Sequence, residues 1–261
     1  MKTLEEIQKT ELIITKDLIL RLISFIDLTT LNNDDTEKTV GALINKANKG
    51  FNKTYPAAVC TFSNFGAFAK KQINSTINIA VVGGCFPTGQ TLSDAKIEEC
   101  RIIAKSAVDE IDIVLNRGDF FSGNYAQIET EISGIKAAIG TKHLKVILET
   151  GDLKTDDNIR LASELAIKSG ADFIKTSTGK TSIGATPDAV FTMCNVIKTH
   201  FNITGKYIGI KPSGGIRTLD DAIIYYKIVQ HVLGDKWLHN SLFRIGASSL
   251  YGNLMDSYTT I

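Results

Sequence analysis

Eight short apolar or β-branched runs alternate with longer, helix-patterned segments from one end of the chain to the other. The runs lie at 22–28, 57–62, 78–83, 110–116, 144–149, 173–178, 207–211 and 243–247. Short runs with little polar alternation are how strands of a parallel sheet read, because both faces are covered. Between them come segments such as 93–108, 125–138, 156–169, 187–200 and 219–233. Ser93-Asp94-Ala95-Lys96-Ile97-Glu98 opens like a capped helix with Ile97, Cys100, Ala104 and Ala107 on one stripe. Thr186-Pro187 reads as an N-cap followed by proline at the first helical position. Such alternation implies right-handed βαβ units and a parallel sheet. Eight units in 261 residues predict an α/β fold, a single (β/α)8 TIM barrel over residues 1–261, since one barrel takes about 250 residues. An extra N-terminal helix, about 4–18, is expected ahead of the first strand. No Pro/Gly-rich linker or composition shift marks a second domain.

Composition narrows the partners. With 29 basic and 28 acidic residues the net charge is +1, which predicts no nucleic-acid partner and no anionic membrane surface. No apolar run approaches the roughly 20 residues of a membrane span. The acidic start Met1-Lys2-Thr3-Leu4-Glu5-Glu6 lacks the apolar stretch of a signal peptide. Cys60, Cys85, Cys100 and Cys194 show no CxxC or Cys/His spacing and read as reduced thiols of a cytoplasmic protein. His143, His200, His231 and His239 stand apart from any HExxH-like pattern, so no metal and no cofactor are expected. A homodimer is left open.

Two lysines sit inside strand candidates. Lys175 lies in Phe173-Ile174-Lys175-Thr176-Ser177-Thr178 and Lys211 in Tyr207-Ile208-Gly209-Ile210-Lys211-Pro212. Burial disfavours an ammonium, and a second cation nearby disfavours it further, so such a lysine tends toward a neutral amine that attacks carbonyl carbon. One strand lysine alone is better read as snorkelling or paired. Two of them, each followed by small phosphate-binding residues, point to chemistry. Asp112, in Glu110-Ile111-Asp112-Ile113-Val114, is the candidate proton relay or ion-pair partner. Glu149 competes for that role but reads as a loop anchor. Lys145, near the start of its strand, and Cys60 read as structural.

Barrel active sites form at the C-terminal strand ends, with phosphate held after strands seven and eight. Here those loops carry Ser213-Gly214-Gly215 and Gly246-Ala247-Ser248-Ser249, with Thr178-Gly179-Lys180 after strand six. Glycines admit backbone N–H groups to phosphate oxygens, serines add donors, and Lys180 adds positive charge.

These segments resemble the 2-deoxyribose-5-phosphate aldolase family of Schiff-base aldolases. The stretch from Gly170 to Gly179 is similar to the Schiff-base segment, and Lys211-Pro212-Ser213-Gly214-Gly215-Ile216-Arg217 to the second-lysine segment. Asp27-Leu28-Thr29, Asp109-Glu110-Ile111-Asp112, Leu148-Glu149-Thr150-Gly151 and Arg244-Ile245-Gly246-Ala247-Ser248-Ser249 match in order, over roughly residues 21–250. Thr88 stands where histidine is common, the loop Asn116-Arg117-Gly118-Asp119 departs from the usual one, and Tyr258 is the candidate for a mobile C-terminal tyrosine. The resemblance implies a metal-independent lyase acting on a small sugar phosphate. Lys175 would be the nucleophile, Lys211 its electrostatic partner and Asp112 the proton relay. Thr178, Gly179, Lys180, Gly214, Gly215, Gly246, Ser248 and Ser249 would hold phosphate, with Asp27 near a sugar hydroxyl. Another Schiff-base aldolase or transaldolase, and a non-catalytic sugar-phosphate-binding barrel, are the alternatives.

Overall fold

In the computed structural model, which describes residues 2–261, eight parallel strands form one curved sheet. They are β1 (Ile26–Thr29), β2 (Ala58–Phe62), β3 (Asn78–Val82), β4 (Glu110–Val114), β5 (His143–Ile147), β6 (Phe173–Lys175), β7 (Gly209–Lys211) and β8 (Ile245–Ala247). The order is β7-β6-β5-β4-β3-β2-β1-β8. The ends meet: Arg244 N–H donates to the Ile210 carbonyl (3.0 Å) and Gly246 N–H to that of Pro212 (2.9 Å). The sheet therefore closes into the expected (β/α)8 barrel.

Helices Glu37–Lys49, Gly66–Gln72, Ser93–Ala104, Tyr125–Ile139, Asp156–Lys168, Pro187–Thr204, Leu219–Leu233 and Leu250–Thr260 follow the strands in turn. Caps fix several starts: Thr36, Thr155, Thr186 and Thr218 each accept an N–H from the first turn. The main core lies between strands and helices. Ile79, Val81, Ile111, Ile113, Leu144, Val146, Ile174 and Ile210 point outward from the strands and are almost fully buried there.

The N-terminal region differs from expectation. Two helices stand there, Leu4–Lys9 and Lys16–Ser24, and residues 22–24 belong to the second rather than to β1. Thr15 caps this helix, and Leu18, Ile19, Leu22 and Ile23 repeat at helical spacing and are buried. An apolar run flowing into a strand conceals that boundary. Tyr258 also lies away from the mouth. Helix Leu250–Thr260 carries it to the far end of the barrel, where its ring packs edge-on against Phe51, which precedes β2 (centroids 5.2 Å apart).

Candidate active site

The residues that point inward are set by strand alternation. Register aligns Val82 with Asp112, Asp112 with Lys145, Lys145 with Phe173, and Lys175 with Lys211. Toward β2 and β3 the interior is apolar: Leu31, Ala58, Cys60, Ala80 and Val82 pack together, with Phe62 and Phe86 against them. Toward β4–β8 and β1 it is charged.

Asp112 is the hub of that charge. Its Oδ2 accepts from Lys175 Nζ (2.9 Å) and Lys211 Nζ (2.8 Å), and its Oδ1 from Lys145 Nζ (2.9 Å). Lys211 is also paired with Asp27. Arg244 donates to Asp27 Oδ1 (2.6 Å) and to Glu110 Oε1 (2.8 Å), and Lys145 pairs with Glu110. All seven residues are at most 3% exposed. Burial alone would raise the Asp112 carboxyl, but Lys145, Lys175 and Lys211 together hold it well below the carboxylate range. Burial works against Glu110 likewise, and Lys145 and Arg244 reverse it. Burial opposes the Lys211 ammonium, yet Asp112 and Asp27 raise its pKa above the ordinary lysine value. Lys145 is raised in the same way by Asp112 and Glu110.

The structure thus brings Lys175, Lys211 and Asp112 onto one carboxylate oxygen. Three of the expected contact residues have other partners in the structure. Asp27 is fully buried with its carboxylate turned to Lys211 and Arg244, so it faces cations and not a sugar hydroxyl. Thr178 is 6% exposed, and both its N–H and its hydroxyl go to Glu149. Gly246 has its N–H on Pro212, and a Cβ there would lie 3.2 Å from Lys211 Cε. That glycine makes room for the lysine stem.

The remaining phosphate candidates do rim the mouth. Among the described residues, the N–H groups of Gly179, Gly214, Gly215, Ser248 and Ser249 have no protein acceptor. Positive φ at Gly179 (+75°), Gly214 (+84°) and Gly215 (+82°) makes glycine the fitting residue at these turns. Ser249 precedes the N-terminus of helix Leu250–Thr260, whose dipole favours an anion. Lys180 donates to the Leu31 carbonyl and ties the β6 loop to the β1 loop.

The divergent loop 116–119 forms a helical turn. Asn116 caps Asp119 N–H, and Arg117 Nε pairs with Asp152 Oδ2 of the β5 loop at 3.1 Å. Arg244 and Glu110 went unnoticed in the sequence. Their signal was present: each is a charge inside an apolar strand, and Glu110 lies two residues before Asp112, on the same face. Lys145, read as structural, bonds Asp112 directly.

Known proteins fit this geometry. A family model described as DeoC/LacD family aldolase matches residues 21–250. The chain belongs to this family. It is 42% identical over 245 residues to a Caenorhabditis elegans protein provisionally named a deoxyribose-phosphate aldolase, covering 90% of this chain and 80% of that one. It is 38% identical over 255 residues to the Homo sapiens deoxyribose-phosphate aldolase, covering 90% and 79%. A solved structure of the Aeropyrum pernix deoxyribose phosphate aldolase, described as a unique tetramer, superposes with TM-score 0.74 at 25% identity over 99% of both chains.

Proposed function

We propose that the chain is a single-domain deoxyribose-phosphate aldolase. It cleaves 2-deoxy-D-ribose 5-phosphate reversibly to D-glyceraldehyde 3-phosphate and acetaldehyde through a Schiff base on Lys175. One observation carries the reading, the way the barrel's buried lysines share their carboxylates. Four cationic side chains (Lys145, Lys175, Lys211, Arg244) meet three carboxylates (Asp27, Glu110, Asp112), all buried. Lys211, Lys145 and Arg244 each touch at least two carboxylates, whereas Lys175 touches only Asp112, through an oxygen already shared with Lys211. Lys175 is the least paired of the four cations and is the proposed nucleophile.

Its amine attacks C1 of the open-chain aldehyde, and the carbinolamine hydroxyl takes a proton from solvent and leaves as water, giving an iminium ion. The C3 hydroxyl gives its proton to Asp112, directly or through water, and the C2–C3 pair flows into the iminium, leaving an enamine and freeing glyceraldehyde 3-phosphate. Protonation at C2 and hydrolysis of the iminium release acetaldehyde and restore the amine. Lys211, kept protonated by Asp112 and Asp27, fixes a positive charge beside the reacting nitrogen. Gly179, Gly214, Gly215, Ser248 and Ser249 hold the phosphate, with Lys180 adding charge at the rim.

A coupled assay of acetaldehyde release from 2-deoxyribose 5-phosphate tests the reading. Release from the phosphorylated sugar separates this activity from another sugar-phosphate aldolase, and no turnover would leave only a binding barrel. Ser249→Glu should cut kcat/KM for the phosphorylated sugar by about 100-fold or more, because a carboxylate then faces the phosphate and remote binding energy orients the reacting carbon. Unphosphorylated 2-deoxyribose should lose far less. Equal losses on both sugars would mean damage to the fold.

Among the described residues no helix is long and apolar enough to cross a membrane. Four free thiols, three of them buried, suit a reducing compartment, so a cytoplasmic location is proposed. The homodimer left open by the sequence competes with the tetramer described for the Aeropyrum pernix relative. Light scattering on the purified chain decides between them.

A further inference from the structure

Glu149 follows β5 in a conformation its residue type disfavours. Its φ of 58° and ψ of 61° are left-handed, and it is fully buried. The whole carboxylate is turned to the β6 loop. Thr178 N–H donates to both oxygens (3.2 and 3.3 Å), the Thr178 hydroxyl donates to Oε2, and the Thr181 hydroxyl to Oε1 (3.3 Å). Thr178 Oγ1 in turn accepts the Lys180 N–H at 3.0 Å. The same loop is clamped further along. A Cβ on Gly151 would lie 2.7 Å from Ile183 Cβ, and one on Gly184 would lie 2.3 Å from the Gly214 carbonyl oxygen. Ala185 N–H donates to the Ser213 and Gly214 carbonyls, both at 3.0 Å. Between these clamps Gly179 is exposed, with open space where a side chain would stand.

A buried carboxylate this near an anion site is unfavourable unless it serves the loop that carries the donors. We propose that Glu149 is the positioning residue for the anionic end of the substrate. It sets the 178–185 loop so that the free N–H groups of Gly179, Gly214 and Gly215 converge on the phosphate, and so sets the preference for phosphorylated over unphosphorylated sugars. Glu149 touches no reacting atom. The inference rests on the aldolase reading above.

Glu149→Gln tests it. An amide keeps one acceptor oxygen but turns an NH2 toward donors, so at least one tie to Thr178 or Thr181 is lost. The ratio of kcat/KM for 2-deoxyribose 5-phosphate to that for 2-deoxyribose should fall by about 10- to 100-fold, the scale of a lost hydrogen bond to a charged group. Trapping of acetaldehyde on the enzyme by borohydride, which needs no phosphate, reports in the same samples whether the amine still reacts. Thr178→Val removes one donor and keeps the carboxylate. It should lower the ratio in the same direction, and it decides the matter if Glu149→Gln does not fold. Parallel losses on the two sugars, or an unchanged ratio, would overturn the inference while leaving the aldolase reading intact. A wild type that releases acetaldehyde from neither sugar would overturn both.

Discussion

Lys175→Arg should lower kcat for 2-deoxyribose 5-phosphate by on the order of 10⁴-fold or more, the scale on which an enzyme loses its covalent nucleophile. The reason is chemical rather than structural. Guanidinium stays protonated at any working pH, so it cannot attack a carbonyl. It can still donate to Asp112 Oδ2, where Lys175 Nζ now donates from 2.9 Å. The contact with Asp112 should therefore persist and the variant should fold, at some cost in Tm from the bulkier, permanently charged group. A coupled assay alongside a thermal melt checks both halves. A folded variant that keeps a large share of its turnover would place the nucleophile elsewhere.

Arg244→Met should destabilise the protein by about 3–5 kcal/mol, the usual cost of removing one partner from a buried ion cluster, although Asp27 keeps Lys211 and Glu110 keeps Lys145. Arg244 bridges Asp27 and Glu110 under the two lysines, at 2% exposure. For a chain of this size that corresponds to a drop in Tm of roughly 10 °C. The pH dependence has a definite sign. In the wild type, Asp27 and Glu110 lie below their ordinary values of 3.8 and 4.5 despite burial. Their contribution is complete above those values and is lost as pH falls through the lower folded ones. In the variant one cation is gone and burial pushes both carboxyls upward, so they take up protons more readily. The gap between the two proteins should narrow toward acid. Chemical denaturation across pH measures it, and a loss below about 1 kcal/mol at neutral pH would mean the bridge behaves like an exposed pair.

Much of the architecture was legible because a parallel barrel writes its strands as apolar runs and its helices as capped stripes. Helix Leu219–Leu233 matches its expected bounds, with Thr218 as cap. The charged interior was legible for the same reason: Lys175, Lys211 and Asp112 interrupt apolar strands, and nothing but a partner or a function accommodates them there. What stayed hidden depends on contacts between segments distant in the chain. Thr178 looks like a phosphate donor until Glu149 is placed beside it, 29 residues earlier. Gly246 looks like a loop glycine until the stem of Lys211 is seen against it. Asp27 looks like a mouth residue because strand length is unknown in advance. The cluster beneath the lysines needed the same test applied to Arg244 and Glu110.

The central claim is that Lys175 is the nucleophile that forms the Schiff base. Incubating the wild type with acetaldehyde and borohydride, then mapping peptides by mass, reads that claim at one atom. A stable ethyl group on Lys175, formed ahead of other lysines, is the result predicted. An ethyl group on Lys211 or Lys145 in its place, or no preferred lysine, would contradict the account.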